Sequence, residues 1–98
     1  MTTRLPEFQS YGDYNSDNYG AHTIQLILPG LTLFYSYKTI VAYADRMDGR
    51  VVCENRWSTT TGKHLNMIDG GNKKSRKDGA TFDAMLQAAL ERAFNRND

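Results

Sequence analysis

Two short turn sequences, Pro29-Gly30 and Asp48-Gly49, stand between stretches in which apolar and polar residues alternate, and they constrain this chain more than anything else in it. Proline presets φ and glycine accepts φ > 0, so Pro29-Gly30 suits the centre of a type II turn. Asp-Gly between alternating residues is a strong hairpin signal. Two-residue loops at both places predict strands over 22–28, 31–37, 39–47 and 50–57, joined at Lys38 into one antiparallel meander. Because side chains alternate along a strand, Ile24, Leu26, Leu33 and Tyr35 share a face, opposite Ile27, Thr32 and Phe34. In the second hairpin the same register puts Ile40, Ala42 and Ala44 with Val51, Cys53 and Trp57, and sets Val41, Tyr43, Arg50 and Arg56 on the other side. The first set of each hairpin is the expected core face.

A helix is predicted over 81–94. Thr81 suits its N-cap, and Phe82, Met85, Leu86, Ala89, Leu90 and Ala93 form one apolar stripe at helical spacing. The expected fold class is therefore α+β, an antiparallel β-meander of about four strands packed on one C-terminal helix, with the opposite sheet face uncovered. A length of 98 residues leaves no room for a second core, so residues 1–98 are read as a single domain. It carries an N-terminal arm over 1–20, rich in tyrosine and turn formers, and a long basic loop over 58–79 in which Leu65, Met67 and Ile68 are anchors.

The net charge is only +1, but it is unevenly spread. Residues 61–79 hold five basic and two acidic residues, whereas residues 1–30 hold one basic and three acidic. A general nucleic-acid binder is usually more basic overall. The single cysteine, Cys53, can form no intrachain disulfide and supplies no cysteine-based zinc pattern. No apolar run follows Arg4 at the N-terminus, and none approaches the roughly 18 residues of a membrane span. The expectation is a cytoplasmic protein with no membrane association.

Candidate chemistry is sparse. Cys53 lies on the expected apolar face and is read as a packed thiol. His22 and His64 have no partner at the spacing of a metal site, and no catalytic residue, metal site or cofactor is expected. Gly62, Lys63 and His64, beside three threonines, could contact an anion or form a hydrogen-bonded structural loop. Lys73, Lys74, Arg76 and Lys77 are the one basic cluster, able to bind phosphates or an acidic surface if Arg50, Arg56 or Lys63 lies nearby. Trp57 is read as core. Tyr43 and Phe34, with Ile27, would form an exposed apolar patch that calls for a partner or a homodimer through the open sheet face.

The segments Asn18-Tyr19-Gly20-Ala21-His22, Ser36-Tyr37-Lys38-Thr39-Ile40-Val41-Ala42, Glu54-Asn55-Arg56-Trp57-Ser58 and Thr60-Thr61-Gly62-Lys63-His64-Leu65-Asn66-Met67-Ile68-Asp69 carry a resemblance. Over residues 18 to 94 the chain resembles a family of small uncharacterised domains in phages and other mobile elements. The resemblance implies a phage setting, in which short accessory proteins bind and inhibit host proteins, but it transfers no chemistry. The leading expectation is a non-enzymatic binding protein, plausibly an inhibitor of a host defence complex of the anti-CRISPR type, whose partner is a host protein or ribonucleoprotein. A sheet-based nucleic-acid reader presenting Arg50, Arg56 and Tyr43 is the alternative. An enzyme pairing His64 with Asp69 or Thr61 is the third.

Overall fold

The structure, a computed structural model, describes residues 7–11 and 23–94. The expectations for His22 and most of the N-terminal arm lie outside the described residues. Five antiparallel strands pair in sequence order, β1 (Glu7–Ser10), β2 (Ile24–Leu28), β3 (Leu31–Ser36), β4 (Thr39–Asp45) and β5 (Gly49–Val52). Helix α1 (Thr59–Asp69), a 3-10 turn (Lys73–Ser75) and helix α2 (Gly79–Phe94) follow. The fold is α+β as expected, with one strand more, since part of the N-terminal arm pairs as β1 with β2.

The first hairpin has the expected register, with Leu28 opposite Leu31 and Leu26 opposite Leu33. The second does not. Asp45 pairs with Gly49 and Tyr43 with Val51, so the loop is Arg46-Met47-Asp48 and Gly49 takes φ 70. Polar groups select this longer loop: the Asp48 N–H donates to Asp45 Oδ1 (2.8 Å) and the Tyr43 hydroxyl to Asp48 Oδ2 (2.6 Å). The shift from the expected pairing is an odd number of residues, which exchanges the faces. A bulge compounds it, because Phe34 pairs with Ala42 but Tyr35 with Ile40, which leaves Val41 as the extra residue of β4.

One face therefore carries Leu31, Leu33, Tyr43, Val51 and Cys53 against Phe82 and Ala89 of α2, with Ile40 packed beside them. The other carries Phe34, Val41, Ala42 and Val52 beneath Leu65 and Ile68 of α1. The sheet is covered on both sides. Tyr43 and Phe34, expected together on an open face, are 0% and 7% exposed and lie on opposite faces, Tyr43 under α2 and Phe34 under α1, so the patch expected for a homodimer does not form. Trp57, expected in the core, is 37% exposed because β5 stops at Val52 instead of reaching residue 57.

The 58–79 stretch is thus no loop. Ser58 caps α1 by accepting the Thr61 N–H on its hydroxyl (3.2 Å), and Gly70 ends the helix at φ 67. Threonine and glycine are weak helix formers, so Thr59-Thr60-Thr61-Gly62 conceals the start of a helix whose buried stripe is Thr61, His64, Leu65 and Ile68. In α2 the cap is Asp78, three residues before the expected Thr81. Its carboxylate accepts both the Thr81 N–H (3.1 Å) and the Thr81 hydroxyl (2.7 Å).

If both faces are core, Leu65→Ala in α1 lowers unfolding free energy by about 2–5 kcal/mol, comparable with the roughly 3–5 kcal/mol of Phe82→Ala in α2. Urea unfolding measures both, and a loss below about 1 kcal/mol for Leu65→Ala contradicts the two-sided core.

Candidate binding cleft

Beyond β5 the chain is stitched to the segment that precedes α2. The Lys77 N–H donates to the Val52 carbonyl (2.9 Å) and the Glu54 N–H to the Lys77 carbonyl (2.8 Å), a short parallel bridge at Cys53. Helix α1 stands beside this seam with its apolar stripe on the sheet, and its polar back turns toward the 54–55 and 73–76 segments. Between them lies a cleft of about 490 Å³. Thr59, Gly62, Lys63 and Asn66, spaced i, i+3, i+4 and i+7 on α1, form one wall, and Glu54, Asn55, Lys73 and Arg76 complete the lining. Gly62 is needed there, since a Cβ at that position would lie 2.8 Å from Asn55 Nδ2. Asn55 is itself fixed, donating to the Ser58 carbonyl (3.0 Å) and accepting the Trp57 N–H (3.1 Å).

The cations expected to act together divide into two kinds. Arg76 is internal: Nε donates to Asp69 Oδ2 (2.7 Å), and Nη2 to Asp69 Oδ1 (3.0 Å) and Asn66 Oδ1 (2.9 Å). The two side chains of this pair are only 4% and 6% exposed. Burial alone would push the Asp69 carboxyl up, but the bonds from Arg76 and the Gly71 N–H (2.9 Å) outweigh it and hold the group below the usual carboxylate range. Arg50 is also spent, donating to the Ile68 carbonyl at the end of α1 (2.7 Å) with its guanidinium 6.0 Å from the Phe34 ring. Arg56 grips Asp83 through two bonds (3.0 and 2.6 Å) and lies 5.1 Å over the Trp57 ring. Lys63, Lys73, Lys74 and Lys77 are exposed, and among the described residues none of their side chains forms an ion pair.

Gly62-Lys63-His64 does not act as a unit. Lys63 faces the cleft, while His64, a hundred degrees further round the helix, is wholly buried. Its Nδ1 lies 2.7 Å from Ser36 Oγ, which is 3.1 Å from Thr61 Oγ1. The Tyr37 ring lies tilted against it, centroids 5.7 Å apart, on a residue in a left-handed conformation (φ 58) that costs a tyrosine about 1–2 kcal/mol. Asp69, the carboxylate considered for His64, is held by Arg76 instead. Cys53 is packed as expected, and burial pushes its thiol up to about 11. Among the described residues no group of His, Cys, Asp and Glu could hold a metal ion.

A smaller cavity of about 160 Å³ lies between the hairpin tips and the end of α2. Two of the three charged residues lining it are paired, since Arg92 donates to Asp45 (2.6 Å) and also to Asp48 (2.9 Å). Sequence reading missed Thr59, Asn55, Asn66 and the Asp69–Arg76 pair. The i, i+3, i+4, i+7 spacing of Thr59, Gly62, Lys63 and Asn66 was the available signal.

Together these features define a small α+β domain in which a five-stranded meander lies between two helices and a polar cleft opens behind the first. Residues 7–84 match the Family of unknown function (DUF8033), and the chain belongs to that family. No curated protein and no solved structure matches it. The match takes in all five strands and every residue lining the cleft. None of the described helices is long and apolar enough to cross a membrane.

Two measurements check the internal assignments. Because the folded-state pKa of Asp69 is depressed, its contribution is present above the unfolded carboxylate pKa of about 4 and is lost as pH falls through the folded value. Arg76→Gln then costs about 3–5 kcal/mol near pH 7 and much less at pH 2, read by urea unfolding at each pH. An equal cost at both rules out the pairing. The Cys53 thiol reacts with a disulfide reagent in denaturant and is protected in the native protein, and fast native labelling contradicts its burial.

Proposed function

We propose that the chain is a small non-enzymatic binding protein that contacts a polyanionic macromolecular partner with the cleft and its lysine-bearing wall. The observation that carries this reading is the set of exposed lysines, Lys63, Lys73, Lys74 and Lys77, without counter-ions among the described residues, while Arg50, Arg56 and Arg76 are all engaged. Like charges gathered on one segment repel one another, and an anionic partner relieves that repulsion. Arg56, which lies 5.1 Å over the Trp57 ring, and Trp57, whose backbone N–H is held by the cleft residue Asn55, add residue types that dominate binding energy at interfaces. Ser36, Cys53 and His64, the groups that could serve as nucleophile or base, are turned into the core, which favours binding over catalysis.

In the phage or mobile-element setting that the sequence resemblance suggests, the partner is a host protein or ribonucleoprotein in the host cytoplasm. Binding there inhibits a defence complex, in the manner of an anti-CRISPR protein. The sheet-based nucleic-acid reading has less support, because Tyr43 and Arg50 are both used inside the fold.

Heparin chromatography at low salt tests the polyanion contact. Wild-type protein is retained, and a variant with Lys63, Lys73, Lys74 and Lys77 all changed to Gln flows through with an unchanged melting temperature, since no fold contact uses those side chains. Failure of the wild type to bind, or equal retention of the variant, overturns the reading.

A further inference from the structure

We infer that the cleft takes the sugar-phosphate backbone of a single-stranded nucleic acid, an inference that rests on the polyanion reading and narrows it. A cleft of about 490 Å³ is of the size that encloses a small ligand or one unit of a chain, whereas a flat acidic protein surface or a rigid duplex does not enter it. Its donors suit phosphate and sugar oxygens: the Lys63 and Lys73 ammonium groups, the Thr59 hydroxyl and the Asn55 amide. Arg76 adds a preorganised edge. Its Nε and Nη2 are committed to Asp69 and Asn66, while Nη1 has no hydrogen bond among the described residues. Asp69 balances its charge, so the positive potential of the cleft comes from the two lysines, set against the single Glu54 carboxylate, which is turned to accept the Gly79 N–H (2.8 Å).

Two observations favour a polymer over a single phosphorylated molecule. The cations continue past the cleft, with Lys74 and Lys77 on the same segment as Lys73. That segment is fastened by the Lys77 backbone to Val52 and Glu54, so the row is held on a fixed support, as successive phosphates require. Second, Trp57 lies two residues from Asn55, more than a third exposed and stacked with Arg56. Its ring and the guanidinium offer a platform for an unstacked base, a sequence-tolerant contact typical of single-strand binding.

Fluorescence anisotropy with labelled mixed-sequence 12-nucleotide RNA, single-stranded DNA and duplex DNA, from low to moderate salt, decides the matter. Both single strands bind better than the duplex, and log affinity falls with log salt by roughly 0.7 per phosphate engaged. K63Q/K73Q weakens binding about tenfold or more and lowers that slope by roughly 1.4. Trp57→Ala weakens binding about tenfold with the slope unchanged, and thermal melts confirm that both variants fold. Stronger binding of RNA assigns the strand to RNA, stronger binding of DNA to DNA, and either supports the shared backbone contact. A preference for the duplex, or variants that bind like wild type, overturns the inference. Retention on heparin without binding to either strand overturns it alone and leaves the polyanion reading standing, while loss of both removes both.

Discussion

Three consecutive residues of β4, Val41, Ala42 and Tyr43, have no solvent exposure, and a strand buried along such a stretch needs cover on both faces. An antiparallel meander is commonly dry on one side and wet on the other. Here the bulge at Val41 lets Ile40 and Tyr43 serve the same face, and the three-residue loop before Gly49 brings Val51 and Cys53 to join them. Helix α2 closes that side. Ala42 and Val52, with Phe34, are then left apolar on the other side, and α1 is the element that shields them. The polar end of Tyr43 is accommodated at the sheet margin, where its hydroxyl donates a hydrogen bond to Asp48, which shares Arg92 with Asp45. Burial and the Asp48 bond both push the Tyr43 phenol above its ordinary range, so it stays a neutral donor.

The cleft inherits its geometry from this core. Leu65 and Ile68 hold α1 down by one stripe, and Lys63 and Asn66, on the opposite side of the same helix, face the cleft for that reason. Arg50 from β5 reaches the last carbonyls of the same helix, and Asp69 at its end fixes Arg76 on the opposite wall. Both walls are thus tied to one helix, whose position is set by packing below it.

Much of the scaffold was legible. Pro29-Gly30 specified the turn and register of the first hairpin, whose strands are shorter than the expected 22–28 and 31–37, and the apolar stripe after Asp78 specified α2. Asp48-Gly49 was read with the wrong loop length, because an Asp-Gly pair fits more than one loop and only the side-chain bonds of Asp45 and Asp48 select between them. Helix α1 was illegible because most helical stability comes from tertiary packing, and its first turn is built from poor helix formers. Arg50, Arg56 and Arg76 look identical in sequence to Lys73 and Lys74. Their partners at Ile68, Asp83 and Asp69 come into reach only after folding, so nothing local separates a structural cation from an available one. Trp57 was misassigned for a related reason: the strand thought to bury it ends at Val52.

The bridge between Cys53 and Lys77 touches only the main chain of Lys77. It pairs the C-terminal end of the β5 edge, where unpaired backbone groups are a liability for any sheet. The side chain of the same residue takes no part in that pairing. Backbone and side chain at Lys77 therefore answer to different pressures. A change of the Lys77 side chain alters the charge along this rim without breaking the bridge.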